Sequence, residues 1–303
     1  MKHLFHQFKL ALVYRCCQER GAVLIYVALA MPIFLAFAAL AVDGSNLFAQ
    51  QGRMQTAADV AALAGAQLLA QGETTAQVAS EVQALATANG ADSITVNFLN
   101  SNTEIQVTAV HTFPTFFAGT VGYPTFNVQA SANAHFAAVG SAGNLLPMTI
   151  MCDDMATDGD PAFTYGETYI LHDNDMNAPG NRGWLTWNGS VSANVLADNI
   201  INPSNSGVWQ IGDWVGGTPG SKTSALDALD NWINKPVTIP LYDTVTGNGS
   251  NVRYRVCAFA EFVLLSYDKN SVTGKFIRGV TNDTSSSSSS APDFGLRDVR
   301  ITQ

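Results

Sequence analysis

AVLIYVALAMPIFLAFAALAV, residues 22–42, runs for 21 residues without a charge. A helix of that length spans about 30 Å at 1.5 Å per residue, the thickness of a hydrocarbon core. Pro32 sits mid-span, where a helix in lipid tolerates a kink. Upstream, Lys2, Lys9, Arg15 and Arg20 stand against Glu19, a net of +3. Downstream comes Asp43, with no base until Arg53. The positive-inside rule makes 1–21 a cytoplasmic basic segment, 22–42 a single transmembrane helix, and 43–303 an exported remainder. That remainder carries 11 of the 15 bases and 23 of the 24 acids. A cleaved signal peptide is the competing reading. Ala36-Phe37-Ala38 and Ala39-Leu40-Ala41 offer small-x-small sites, but the run exceeds the usual h-region of about 7–15 residues. Either reading exports the rest of the chain.

Composition agrees. The 303 residues are 47% hydrophobic and 13% charged, with a net charge of -9. Disorder is disfavoured, because it goes with low hydrophobicity. Nucleic acid is excluded as a partner, because phosphate binding needs a basic face. A mean hydropathy of +0.10 fits one apolar segment in an otherwise polar chain. The length suggests about two domains.

Beyond the span, residues 45–69 read as a continuing helix. Met54, Ala58, Ala61, Gly65 and Leu68 recur at steps of four and three, which is one helical face. The face is mostly small, so another backbone can approach it closely, either a partner helix or the protein's own sheet. Gln71-Gly72 breaks the pattern, Thr74 and Thr75 can cap a second helix over 76–88, and Asn89-Gly90 ends it. Residues 94–98 and 105–109 alternate around Asn100-Ser-Asn-Thr103, which predicts a hairpin. Residues 112–122 read as a turn or short helix, and 126–139 as a further strand.

Residues 141–144 read as a linker. After it, strand-like runs are 148–152, 168–172, 237–242, 254–266 and 275–280, with helix-like runs at 192–200 and 222–232. Residues 285–290 are six serines, read as a loop. The fold class is therefore α+β: a transmembrane helix continuing into a long helix packed on an antiparallel sheet (43–140), then a β-rich domain (141–303).

The N-terminal third resembles a known family. Arg20-Gly21 opens the span, Asp43 follows it, and Met54-Gln55-Thr56-Ala57-Ala58-Asp59-Val60-Ala61-Ala62-Leu63-Ala64 comes next. The set is similar to the N-terminal module of TadE/TadG-like Flp pilus-assembly proteins. Looser likenesses to some members are Gly180-Asn-Arg-Gly-Trp-Leu185, Thr218-Pro-Gly-Ser-Lys222, Ile239-Pro-Leu-Tyr-Asp243 and Val256-Cys-Ala-Phe-Ala260. The resemblance implies a single-pass protein of the bacterial inner membrane with a pilin-like helix and a periplasmic or extracellular domain. It implies pilus-assembly or secretion proteins as partners, self-assembly included, and neither cofactor nor catalytic residues. Two features depart from the pattern. Prepilins of this system are cut after a Gly with Glu five residues on; here Gly21 is followed by Tyr26, so the span is expected to be retained. The Asp-x-Ser-x-Ser metal loop of larger relatives is missing from the sequence.

Chemical motifs are sparse. Cys152 and Cys257 are the only exported cysteines, which makes them a candidate disulfide. Cys16 and Cys17 lie on the cytoplasmic side, as reduced thiols or acylation sites. Asp153, Asp154, Asp158 and Asp160 crowd one stretch, but without EF-hand spacing a solvated acidic loop outweighs calcium binding. His172-Asp-Asn-Asp175 lacks the partners of a zinc site. Gly-x-Ser-x-Gly and phosphate-loop patterns do not occur in the sequence. Trp184, Trp187, Trp209 and Trp214 are core residues or a stacking surface for sugars or another subunit. These residues favour a non-enzymatic, membrane-anchored component of Flp/Tad pilus assembly or adhesive secretion. An exported carbohydrate-binding module on a signal anchor is the alternative, and an exported hydrolase the weaker third.

Overall fold

The apolar span and the helix after it are one element. In the computed structural model, α1 runs Ala22–Gln71, 50 residues with Pro32 inside and about 75 Å long. The structure describes residues 22–152, 164–170, 181–220, 222–269, 271–281 and 291–302. The basic flank with Cys16 and Cys17, the acidic run 153–160, Gly180, the 172–175 cluster and the serine run lie outside them.

Gly72 ends α1 at φ +89°. Its N–H donates to the Leu69 carbonyl, and the Glu73 N–H donates to that of Leu68. Two otherwise orphaned carbonyls are thereby satisfied. A Cβ at Gly72 would run into the Arg278 guanidinium. α2 (Thr75–Ala88) starts with a reciprocal cap between Thr74 and Gln77.

Three antiparallel strands follow: β1 (Ser93–Leu99), β2 (Glu104–Pro114) and β3 (Thr125–Ala138). The β1–β2 hairpin turns through Asn100, Ser101 and Asn102, all at positive φ. Alternation in β2 and β3 turns Ile105, Val107, Ala109, Val128, Ala130, Ala132 and Ala134 inward. This sheet is not closed by residues 43–140 alone. β12 (Gly279–Val280) and β13 (Leu296–Thr302) return from the C-terminal part, giving the order β1-β2-β3-β13-β12. The sequence division at residue 140 therefore cuts across a sheet that both parts build. Arg297 on β13 donates to the Ala70 carbonyl at 2.7 Å and lies over the Phe136 ring.

The rest of the chain folds around a second sheet. After the short β4 (Ser141–Ala142) come β5 (Thr168–Ile170), β6 (Asn181–Thr186), β7 (Trp209–Gln210), β8 (Trp214–Pro219), β9 (Pro236–Thr246), β10 (Arg253–Tyr267) and β11 (Val272–Ile277). The sheet order is β5-β11-β10-β8-β6, with β9 also pairing β10. α3 (Ala193–Ile201) and α4 (Thr223–Leu226) contribute Leu196, Ile200 and Leu226 to the core around Phe262 and Phe276. Three expectations are corrected here. Residues 148–152 form only single bridges, Met148 to Trp184 and Met151 to Tyr242, because the segment crosses between strands. The 275–280 run breaks at Arg278 into strands of different sheets. The 222–232 helix keeps one α turn before continuing as a 3-10 helix.

Candidate functional site

The small face of α1 packs inside the protein. Met54, Ala58 and Ala61 are fully buried, Gly65 is buried and Leu68 half-buried. They meet the inward residues of β2 and β3 and the face of α2 that carries Val78 and Val82. Alanine faces alanine across this seam, so the helix backbone comes close to the sheet. Gly65 is the tightest point: a Cβ there would lie 2.6 Å from Ile105 Cδ1 and 2.8 Å from Val82 Cγ2. The protein's own sheet and second helix thus occupy this face.

Hydrogen bonds fix the register of helix on sheet. Gln55 Nε2 donates to the Ser131 carbonyl, and Gln51 Nε2 to that of Gln129. Four helical residues rise about 6 Å, and two strand residues about 6.6 Å. β3 therefore runs along α1 in the same direction, and the β2–β3 loop lies at the end towards the apolar span. There Asp43 is buried, 6% exposed. Its carboxylate accepts the N–H groups of Phe116, Phe117 and Ala118 at 2.8, 3.0 and 2.7 Å. Three successive amides on one carboxylate make a compact anion nest.

Beside this tie runs a groove of about 670 Å³. Pro32, Ala36 and Leu40 of the apolar run line one wall, and Phe117, Thr120 and Phe126 line the other. Phe116, Phe117 and Tyr123 are exposed on the loop, at 68%, 40% and 64%. Sequence reasoning gave this loop no role. Its available signal was five aromatics, Phe113, Phe116, Phe117, Tyr123 and Phe126, in an uncharged stretch.

Residues 21–68 match the family model "Putative Flp pilus-assembly TadE/G-like", Tad. No curated protein and no solved structure matches the chain. The Tad segment covers the apolar run, Asp43 and the small face as far as Leu68. It stops just short of the end of α1, and the sheet on which it packs lies beyond it. The long alanine-rich pattern of the Tad segment is thus the helix half of an internal seam. Val23–Gln71 contains a helix long and apolar enough to cross a membrane, with its apolar window wholly exposed.

The other candidate residues lie away from the Tad segment. Cys152 and Cys257 form a disulfide, both buried. It joins the segment entering the second sheet to β10, and the Cys152 N–H also donates to the Tyr242 carbonyl. The four tryptophans do not form one platform. Trp184 is core, 3% exposed. Trp187 and Trp209 lean together at 5.8 Å, half-buried against the core around Tyr254, and the Trp209 indole donates to the Ser206 carbonyl. Trp214 alone of the four is exposed. Among the described residues, no three His, Cys, Asp or Glu side chains are grouped to hold a metal. Arg255 forks onto Asp243 at 2.8 and 2.7 Å and holds its carboxyl below the usual range, against the opposing effect of burial. Burial pushes Glu261 up, where β10 meets Gly279 of the other sheet. Burial, then the neighbouring Tyr242, pushes the Tyr254 phenol up.

Proposed function

We propose that this protein is a non-enzymatic, membrane-anchored component of Flp/Tad pilus assembly or adhesive secretion. The observation that carries the reading is the match at residues 21–68. It falls on a helix whose first part is apolar and exposed and whose second part packs on an antiparallel sheet. That division of one helix between lipid and protein also supports the finer reading as a pilin-like subunit. The small face is taken, so contacts with pilus-system partners or further copies fall on the outer side of α1. Phe48, Val60 and Leu63 are exposed there. The glycan-binding alternative is left with Trp214, because Trp184 serves the core.

The test is genetic and biochemical together. Deletion of the gene should abolish piliation or surface adhesion, and the tagged full chain should recover pilus-system proteins from membranes. Normal piliation in the deletion, with none of those proteins recovered, overturns the reading. The +3 flank before residue 22 predicts a cytoplasmic N-terminus. A reporter active only in the periplasm should work when fused after Gln303, and a cytoplasm-only reporter should stay silent there.

A further inference from the structure

We infer that the β2–β3 loop, residues 115–124, is a second membrane contact: a monotopic aromatic tip that sits in the headgroup and upper acyl layer beside the span. The inference rests on residues 22–42 crossing the bilayer.

Depth is the first argument. Phe117 and Thr120 line one groove with Leu40, Ala36 and Pro32. Ala36 lies six residues before Val42, about 9 Å inside the apolar run at 1.5 Å per residue. The same groove extends to Gly44 and Leu47, so with residues 22–42 in lipid the loop that walls it lies across the membrane boundary. Interfacial elements bury about 5–10 Å into this layer.

Composition is the second. The loop reads Thr-Phe-Phe-Ala-Gly-Thr-Val-Gly-Tyr-Pro, with no ionisable group but one tyrosine. Phe116, Phe117 and Tyr123 point outward, not into the core. Tyrosine concentrates at the membrane–water boundary, and phenylalanine is among the side chains that interfacial elements bury there.

Backbone accounting is the third, and it is independent. An irregular loop enters a layer poor in water only when its own amides are satisfied. Thr115 N–H donates to the Pro124 carbonyl, Thr120 to Phe117, Gly122 to Gly119 and Tyr123 to Ala118. Phe116, Phe117 and Ala118 donate to Asp43, so seven of the loop's nine N–H groups, all but Gly119 and Val121, have a named acceptor, and Pro124 has no N–H to satisfy. The Thr115 and Thr120 hydroxyls also turn inward, onto the Tyr123 and Phe117 carbonyls. Asp43 thereby fixes the tip to the helix at the boundary and withdraws three amides from solvent. The occupant of the groove is lipid, continuous with the lipid around the span.

The test uses the full chain in phospholipid vesicles, with Cys16→Ser and Cys17→Ser so that one introduced cysteine takes a fluorescent label. The labelled sites are Phe116→Cys, Val60→Cys as the water control and Phe34→Cys as the span control. The label at 116 should show blue-shifted emission, quenching by lipids brominated near the headgroup, and loss of quenching by aqueous iodide. The label at 60 should behave oppositely. If 116 behaves like 60 while 34 is lipid-quenched, the loop lies in water and the inference fails with the anchor intact. If 34 is not lipid-quenched, the anchor itself fails and the inference falls with it. If 116 is shielded from iodide yet not quenched by lipid, protein covers the tip. A second copy or a partner helix then fills the groove, and the lipid assignment is overturned.

Discussion

Gly65 shows how much a single position carries. Its neighbours Ile105 and Val82 already stand closer than an added Cβ allows. Gly65→Leu should therefore destabilise the protein by about 1–3 kcal/mol, the usual cost of overpacking a close seam. Gln67→Leu, on the exposed side of α1, should change little. Thermal melts in one detergent separate the two; equal melting temperatures would remove the close-packed seam. Asp243 makes a different residue-scale prediction. Arg255 depresses its carboxyl from the ordinary 3.8. A depressed carboxyl contributes stability that is complete above the unfolded-state value and is lost as pH falls through the folded value. The melting-temperature gap between wild type and Asp243→Asn should hold steady near neutrality and shrink below about pH 4. A gap that widens on acidification contradicts the pairing.

At the scale of elements, α1 divides into an exposed apolar part and a packed part. Its first 21 residues have no protein neighbours over most of their length, and from Met54 one side is buried. Asp43 sits at the changeover. Asp43→Ala leaves three amides without an acceptor and frees the loop from the helix. Hydrogen exchange at Phe116, Phe117 and Ala118 should speed up markedly, while β2 residues 105–109 stay protected. Unchanged exchange at those three amides would show that the loop holds its shape without the carboxylate.

At the scale of the molecule, two connections are strongly non-local: the first joins the two parts, and the second ties the second part to itself. One is the return of β12 and β13 to the first sheet. The other is Cys152–Cys257, which closes a loop of sequence separation 105. The chain-entropy model assigns a loop of this size about 4–5 kcal/mol, an upper figure. Non-reduced digests should yield the linked peptides by mass spectrometry. Cys257→Ser should lower the melting temperature of the second sheet's core more than Gly65→Leu does. Two freely alkylated thiols in the native protein would refute the bond.

The sequence by itself determined what depends on local period and on solvent. Twenty-one uncharged residues without a break read as one apolar helix, and α1 contains them. A small-residue face at steps of three and four had to be buried, and alternation over 94–98 and 105–109 had to pair. Thr74, Asn89 and Gly90 marked the second helix because caps are local chemistry. Tertiary structure decided what each surface meets. A small face specifies close approach but not the partner, and here the partner is the protein's own sheet and second helix. The C-terminal strand carries no signal of its destination: Arg297 reaches Ala70 across 227 positions, a pairing that no local pattern encodes. Residues 112–122 read only as a turn or short helix, with no destination. The loop's place beside Ala36 and Leu40 follows from the register of β3 along α1, because only the packed sheet sets how far down the helix the loop extends.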